Sequence, residues 1–158
     1  EAYFHVDATR VYLIGHSNGA YMSFRLACDA SDRITALVSL AGLTFKDPEA
    51  CGATSPVSVL QIHGDDDDQV PFEGGQSVPS AMETVTFWAT HNGCQTGPTA
   101  GEPLDLEEDV DGAETDVTTW TDCQDASEVA LWAMNDGPHV PAFHETVTPM
   151  ILDWLLSR

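Results

Sequence analysis

Short apolar runs rich in β-branched residues alternate along this chain with stretches whose apolar residues recur every three or four positions. Residues 10–14, Arg-Val-Tyr-Leu-Ile, read as a buried strand closed by Gly15. Residues 18–28 place Ala20, Tyr21, Phe24, Ala27 and Cys28 on one helical face, and the pattern breaks from Asp29 to Arg33. Residues 34–40 and 57–62 predict two further strands, separated by a loop from Leu43 to Pro56. Pro79 opens a predicted helix with Met82, Val85, Trp88 and Ala89 on one face, and Asn92-Gly93 ends it. Residues 95–114, acidic and rich in Gly and Pro, read as a surface loop, followed by strands at 116–120 and 128–134. A last helix is predicted from Pro149, capped by Thr148, with Met150, Ile151, Trp154 and Leu155 inward. No internal repeat or linker interrupts the pattern, so residues 1–158 read as one domain.

Strands alternating with helices imply an α/β fold, a mostly parallel sheet with helices on both faces. In such sheets chemistry gathers beyond the C-terminal strand ends. Three features fall there: Ser17 after the first strand, the run Asp65–Asp68 after the third, and His139 in the loop after the last. Gly15-His16-Ser17-Asn18-Gly19 reads G-x-S-x-G, the form of a nucleophile elbow between a strand and a helix. A solvent-facing N-cap serine is the plain alternative. The order Ser, Asp, His is that of α/β-hydrolases.

A serine hydroxyl needs a base to take its proton, and a histidine serves because its pKa lies near neutrality. A carboxylate then fixes the imidazole's tautomer and stabilises the imidazolium. His63-Gly64-x-x-Asp67-x-x-Val70-Pro71 favours Asp67, with Asp65, Asp66 and Asp68 as alternatives. His139 is the first choice of base and His144 the second. His16 reads as a filler that shapes the site, and His5, His63 and His91 as satisfying local hydrogen bonds. The backbone N–H of Asn18, at a helix N-terminus, is the expected oxyanion donor. Phe45, Phe72 and Phe143 are candidates for an acyl pocket. The chemistry calls for no cofactor and no metal. Asp109-Val110-Asp111-Gly112 resembles part of an EF-hand, but Thr118 stands where the bidentate glutamate belongs, leaving at most loose surface cation binding.

Charge narrows the partners. With 26 acidic residues against 5 basic, the formal charge is −21, a field that repels nucleic acid and anionic membranes. Lys46 is the single lysine, which favours adaptation to high salt over mere solubility. No apolar run approaches the ~20 residues that span a bilayer. No signal peptide opens the chain, so a mature form or an excised piece is expected. Cys28, Cys51, Cys94 and Cys123 lack metal-site spacing and favour disulfides and an oxidising, extracellular compartment. Of three possible pairings, sequence neighbours give Cys28–Cys51 and Cys94–Cys123.

Beyond the triad order, Val6-Asp7 to Val11-Tyr12, Gly15 to Met22, Arg25 to Cys28, Ile62-His63-Gly64 through Asp67, Val70-Pro71-Phe72, Gly74-Gly75, Val78-Pro79-Ser80, Phe87-Trp88, Asn92-Gly93-Cys94 and Gly137-Pro138-His139 carry a wider likeness. The sequence resembles the secreted esterase family that includes feruloyl esterases, acetyl xylan esterases and polyhydroxybutyrate depolymerase-like proteins. The resemblance implies an α/β-hydrolase fold, Ser17, Asp67 and His139 as a triad, and the two neighbour disulfides. It also implies strands before the nucleophile strand and an early His-Gly loop with a second oxyanion donor. This chain reaches its elbow at residue 15, so strand 10–14 is expected to expose an apolar edge. A missing N-terminal segment, a partner chain or homo-oligomer covering that edge, or a minimal hydrolase are the three alternatives. The family often has a Gly-Gly-Gly-His stretch followed by an aromatic, whereas here Pro138 precedes His139 and Val140-Pro141 follow.

Two functions compete. One is a serine carboxylic-ester hydrolase working through an acyl-enzyme on feruloyl, acetyl or short-chain hydroxyalkanoate-like esters, free or on a polysaccharide or polyester. The short Gly42–Pro56 connection leaves no room for a large lid. The other is a non-catalytic module of the same fold that binds carbohydrate or a protein.

Overall fold

The computed structural model describes residues 5–158. Its sheet is built from β1 (Tyr12–His16), β2 (Ala36–Leu40), β3 (Ser58–Gly64), β4 (Thr96–Ala100), β5 (Thr115–Thr121) and β6 (Val129–Met134), in the order β1-β2-β3-β6-β5-β4. β1, β2, β3 and β6 run parallel, while β5 and β4 continue the sheet antiparallel. Register carries His16 beside Leu40, Leu40 beside Ile62, and Ile62 beside Trp132, so the parallel strands end along one rim. The mostly parallel α/β sheet predicted from the strand–helix alternation is the one observed.

Helices cover both faces. α1 (Asn18–Asp29) and α2 (Ala81–His91) pack on one face, where Phe24, Leu37, Val59, Val85, Trp88 and Leu131 form a core. α3 (Val147–Leu156) closes the other over Val38, Leu60, Ile62, Trp132 and Met134. All seven residues of β3 are buried, because helices lie on both of its faces and strands on both of its sides. The two disulfides join Cys28 to Cys51 and Cys94 to Cys123, the sequence-neighbour pairing. The first ties the end of α1 to the β2–β3 connection. The second ties the end of α2 to the turn after β5.

Three element boundaries depart from the pattern. α2 begins at Ala81 rather than Pro79, because Ser80 caps it. The Ser80 hydroxyl accepts from Glu83 N (3.0 Å) and the Glu83 carboxylate accepts from Ser80 N (2.7 Å). α3 begins at Val147, with Thr146 in the cap position and no side-chain cap bond. Pro149 therefore lies inside the first turn, where a missing N–H costs no intrahelical bond. Residues 95–114 are not merely a surface loop. They contain β4, an exposed edge strand whose Gly97-Pro98 gives no alternating signal, and then a segment that buries Leu106, Glu107 and Glu114.

β1 lies at the other edge and pairs, among the described residues, with β2 alone. Ile14 on it is 54% exposed, so the apolar edge expected for strand 10–14 is present. Among the described residues no helix is long and apolar enough to cross a membrane.

Candidate active site

The elbow is a backbone feature first. Ser17 adopts φ 53° and ψ −119°, a region that costs a non-glycine residue about 1–3 kcal/mol and persists only where its surroundings over-determine it. Here they do. Ser17 N donates to Leu40 O (2.8 Å), and Ser17 O accepts from Ala20 N (2.9 Å) and Tyr21 N (3.1 Å). A Cβ on Gly15 would collide with the backbone of Gly19 and Ala20, so the first glycine of the motif is a packing requirement. At Gly19 the same added atom would meet nothing within 4 Å. Ser17 occupies the N-cap position of α1 without making a side-chain cap bond, so its hydroxyl is free for another partner.

The acid and histidine loops are stitched together. Gly64 ends β3 with its Cα against the backbone of Gly137, leaving no space for a Cβ. Asp65 N donates to Met134 O (3.0 Å), Asp66 N to Gly137 O (3.1 Å), and Asp136 N to Asp65 Oδ1 (2.6 Å). Asp65, Asp66 and Asp68 are exposed, whereas Asp67 is 6% exposed. Asp67 Oδ1 accepts from Gln69 N (2.9 Å) and Val70 N (2.7 Å), which turns its other oxygen toward the histidine loop.

Three predicted residues meet on the rim. Asp67 Oδ2 lies 2.7 Å from His139 Nδ1, and His139 Nε2 lies 3.0 Å from Ser17 Oγ. A carboxylate only accepts, so Nδ1 carries the proton and Nε2 presents its lone pair to the serine hydroxyl. Burial alone would push the Asp67 carboxyl up. The N–H donors of Val70, His139 and Gln69 outweigh it, and its pKa falls below the ordinary carboxylate value. Asp67 is therefore ionised at neutral pH. The N–H of Asn18, first in α1, has no intrahelical partner and lies beside the serine.

Behind Asp67 lies a polar group whose role the sequence did not disclose. His63 Nε2 donates to Val70 O (2.9 Å) and is 3.2 Å from Asp67 Oδ2, while Gln61 Nε2 donates to His63 Nδ1 (3.1 Å) and Gly42 O (2.8 Å). His63 thus satisfies local bonds as expected, and also backs the carboxylate. Burial lowers its pKa and keeps it neutral. The available signal was two polar residues, Gln61 and His63, at same-face spacing at the end of a largely apolar strand.

Other candidates lie elsewhere. His144 pairs on the surface with Asp105 (3.2 Å), away from Ser17, and His91 bonds Ser55 O (3.0 Å). Phe72 sets its edge on the His63 ring, 5.6 Å between centroids. Phe143 packs on the α3 face beside Ile14 and Leu40 instead of lining an acyl pocket with Phe45. Phe45 packs on the opposite core. Among the described residues no three metal-binding side chains cluster, Asp109 and Asp111 included. The concavities of about 410 Å³ beside Trp132 and Trp154, and about 510 Å³ along α2, include neither Ser17 nor His139.

A parallel sheet with a strained serine elbow and an Asp–His–Ser chain of contacts on its rim defines the chain as an α/β-hydrolase. More narrowly, it belongs to the phospholipase/carboxylesterase family, which its residues 2–94 match. It is 39% identical over 80 residues to a putative esterase, NocK, of Nocardia uniformis, covering 51% of this chain and 23% of that protein. Feruloyl esterase B of Piromyces equi is 29% identical over 146 residues, 85% of this chain and 25% of the relative. Feruloyl esterase D of Neurospora crassa is 28% identical over 137 residues, 87% and 42% respectively. The chain thus spans less than half the length of these curated relatives.

Two outcomes test this geometry. Gly15→Ala is expected to destabilise the fold by about 1–3 kcal/mol through overpacking. Gly19→Ala, with open space and a helical backbone, is expected to be neutral or stabilising by up to about 1 kcal/mol. Denaturant titration of both variants compares them. The second outcome concerns pH. An unfolded His63 takes its proton near the ordinary value of 6.5, whereas the folded site resists it. That contribution to stability is complete above about pH 6.5 and is lost as pH falls through the window below it. Unfolding free energy measured between about pH 5 and 8 is expected to decline on the acid side, and His63→Gln to flatten that decline.

Proposed function

We propose that this chain carries the catalytic centre of a serine carboxylic-ester hydrolase that works through an acyl-enzyme. The observation that carries the reading is the continuous set of contacts from Asp67 Oδ2 through His139 to Ser17 Oγ, at 2.7 and 3.0 Å. The serine oxygen attacks the ester carbonyl while His139 Nε2 takes its proton. Asp67 stabilises the imidazolium that forms and holds its tautomer. The tetrahedral oxygen becomes negative and takes the Asn18 N–H, a class of donor whose loss costs about 100- to 1,000-fold in turnover. Collapse of this intermediate breaks the carbonyl–alkoxide bond, and His139 returns the proton to the leaving alcohol. Water then attacks the acyl-serine with His139 again as base, releasing the acid and restoring Ser17.

The substrate reading is an ester with an open approach: feruloyl or acetyl groups on a polysaccharide, or short hydroxyalkanoate-like esters. The feruloyl esterases among the relatives support the first of these. Two disulfides and a charge of −21 support an extracellular and salt-adapted protein.

Ser17→Ala is expected to abolish hydrolysis of p-nitrophenyl acetate, and Asp67→Asn to lower kcat by up to about 10⁴-fold by favouring the wrong tautomer. A Ser17→Ala protein that retains the parental rate overturns Ser17 as the nucleophile, and a well-folded parental protein that hydrolyses none of these esters overturns the hydrolase reading in favour of a binding module of the same fold. Salt provides a separate check. The Debye length shrinks from about 10 Å at 0.1 M to about 3 Å at 1 M, which screens the self-repulsion of the acidic surface. Melting temperature and esterase rate are expected to rise over that range, and values indifferent to salt contradict the adaptation.

A further inference from the structure

We infer that His16 is a positioning residue that holds the base of the relay through its main chain. This rests on the hydrolase reading of the site. The reason lies in the loop that carries His139. Pro138 and Pro141 have no N–H to give, and no backbone–backbone hydrogen bond is made by residues 138–141 among the described residues. The loop is anchored on both sides of this stretch. Before it, Gly137 N donates to Met134 O (3.2 Å) and Asp136 N to Asp65 Oδ1. After it, Ala142 N donates to the buried carboxylate Glu107 Oε1 (3.0 Å), and Ala142 O accepts from Glu108 N (2.8 Å). Between those anchors the main chain has, among the described residues, one fixed point: the His139 carbonyl, which accepts from His16 Nε2 at 2.8 Å.

A carbonyl oxygen can only accept, so His16 Nε2 bears a proton. His16 is the last residue of β1 and immediately precedes Ser17. Its ring stands 4.9 Å from the His139 ring, tilted by 46°. One side chain therefore fastens the backbone of the base to the strand that presents the nucleophile, and so bears on the Nε2-to-Oγ distance. Neither the Asp67 bond nor the serine contact does this, because both act on the imidazole and leave the peptide free to shift. His16 touches no reacting atom. Its effect reaches the chemistry through the placement of His139, and a displacement of about 1 Å in such a group can cost on the order of 100-fold.

The test compares His16→Leu, which removes the donor, with His16→Gln, whose Nε2 reaches a similar position and cannot become an imidazolium. In the full chain, His16→Leu is expected to lower kcat for p-nitrophenyl acetate about 10- to 100-fold with KM changed less than about threefold, and His16→Gln to restore most of kcat. Amide hydrogen exchange at His139 and Ala142 is read in parallel and does not require turnover. It is expected to quicken in His16→Leu and to stay near parental in His16→Gln. Parental kcat in His16→Leu, equal losses in both variants, or unchanged exchange in His16→Leu overturns the inference. If the parental chain fails to react at Ser17 with a fluorophosphonate probe, the hydrolase reading falls, and the exchange comparison still decides whether His16 holds the loop.

Discussion

On the proposed mechanism one imidazole has to be aimed, and the contacts around it converge on that task. His139 receives a carboxylate at Nδ1 and offers its lone pair at Nε2 to Ser17, so that lone pair is held in one direction, toward the serine hydroxyl. This direction depends on Asp67 staying ionised in a place where burial favours the neutral acid. Main-chain donors from Gln69 and Val70 supply the compensation, which makes the tight turn after β3 a chemical device as well as a connection. A neutral His63 behind it, its Nε2–H given to Val70 O, fills the space beside the carboxylate without introducing a competing charge.

The sheet makes that aim possible because its parallel strands end together. The three groups come from connections after β1, β3 and β6, far apart in sequence and adjacent along one rim. Close backbone approaches at Gly15 and Gly64 bring the elbow and the two loops within reach of one another. The strain at Ser17 is held by three backbone hydrogen bonds, so the hydroxyl faces the rim instead of capping its own helix. The segment carrying Glu107 and Glu114 belongs to the same arrangement. Glu107 secures Ala142 at the far end of the histidine loop, and Glu114 O accepts from Asn135 N (3.1 Å) at its near end.

What the sequence discloses follows from which forces are local. The parallel strands and α1 announce themselves because burial on two faces or one leaves a periodic apolar pattern, and the G-x-S-x-G spacing is itself local. That Ser17, Asp67 and His139 would meet on one rim was legible from their order and their places after strands. β4 was not, since its residues are exposed and only pairing with β5 defines it. The burial of Glu107 and Glu114 was equally hidden, because Glu107 accepts from Ala142 N of a distant loop and Glu114 from the main chain of Leu106 and Glu107 in an irregular segment. The place of Phe143 was hidden for the same kind of reason: a position near the strand ends says nothing about which face of the sheet receives the ring.

The account turns on the location of one proton, and ¹⁵N NMR of histidine-labelled protein at neutral pH reads it directly. His139 is predicted to carry its proton on Nδ1, with Nε2 unprotonated, and to lose that preference when Asp67 is replaced by Asn. A His139 protonated on Nε2 in the parental protein would leave no lone pair facing Ser17 and would contradict the account.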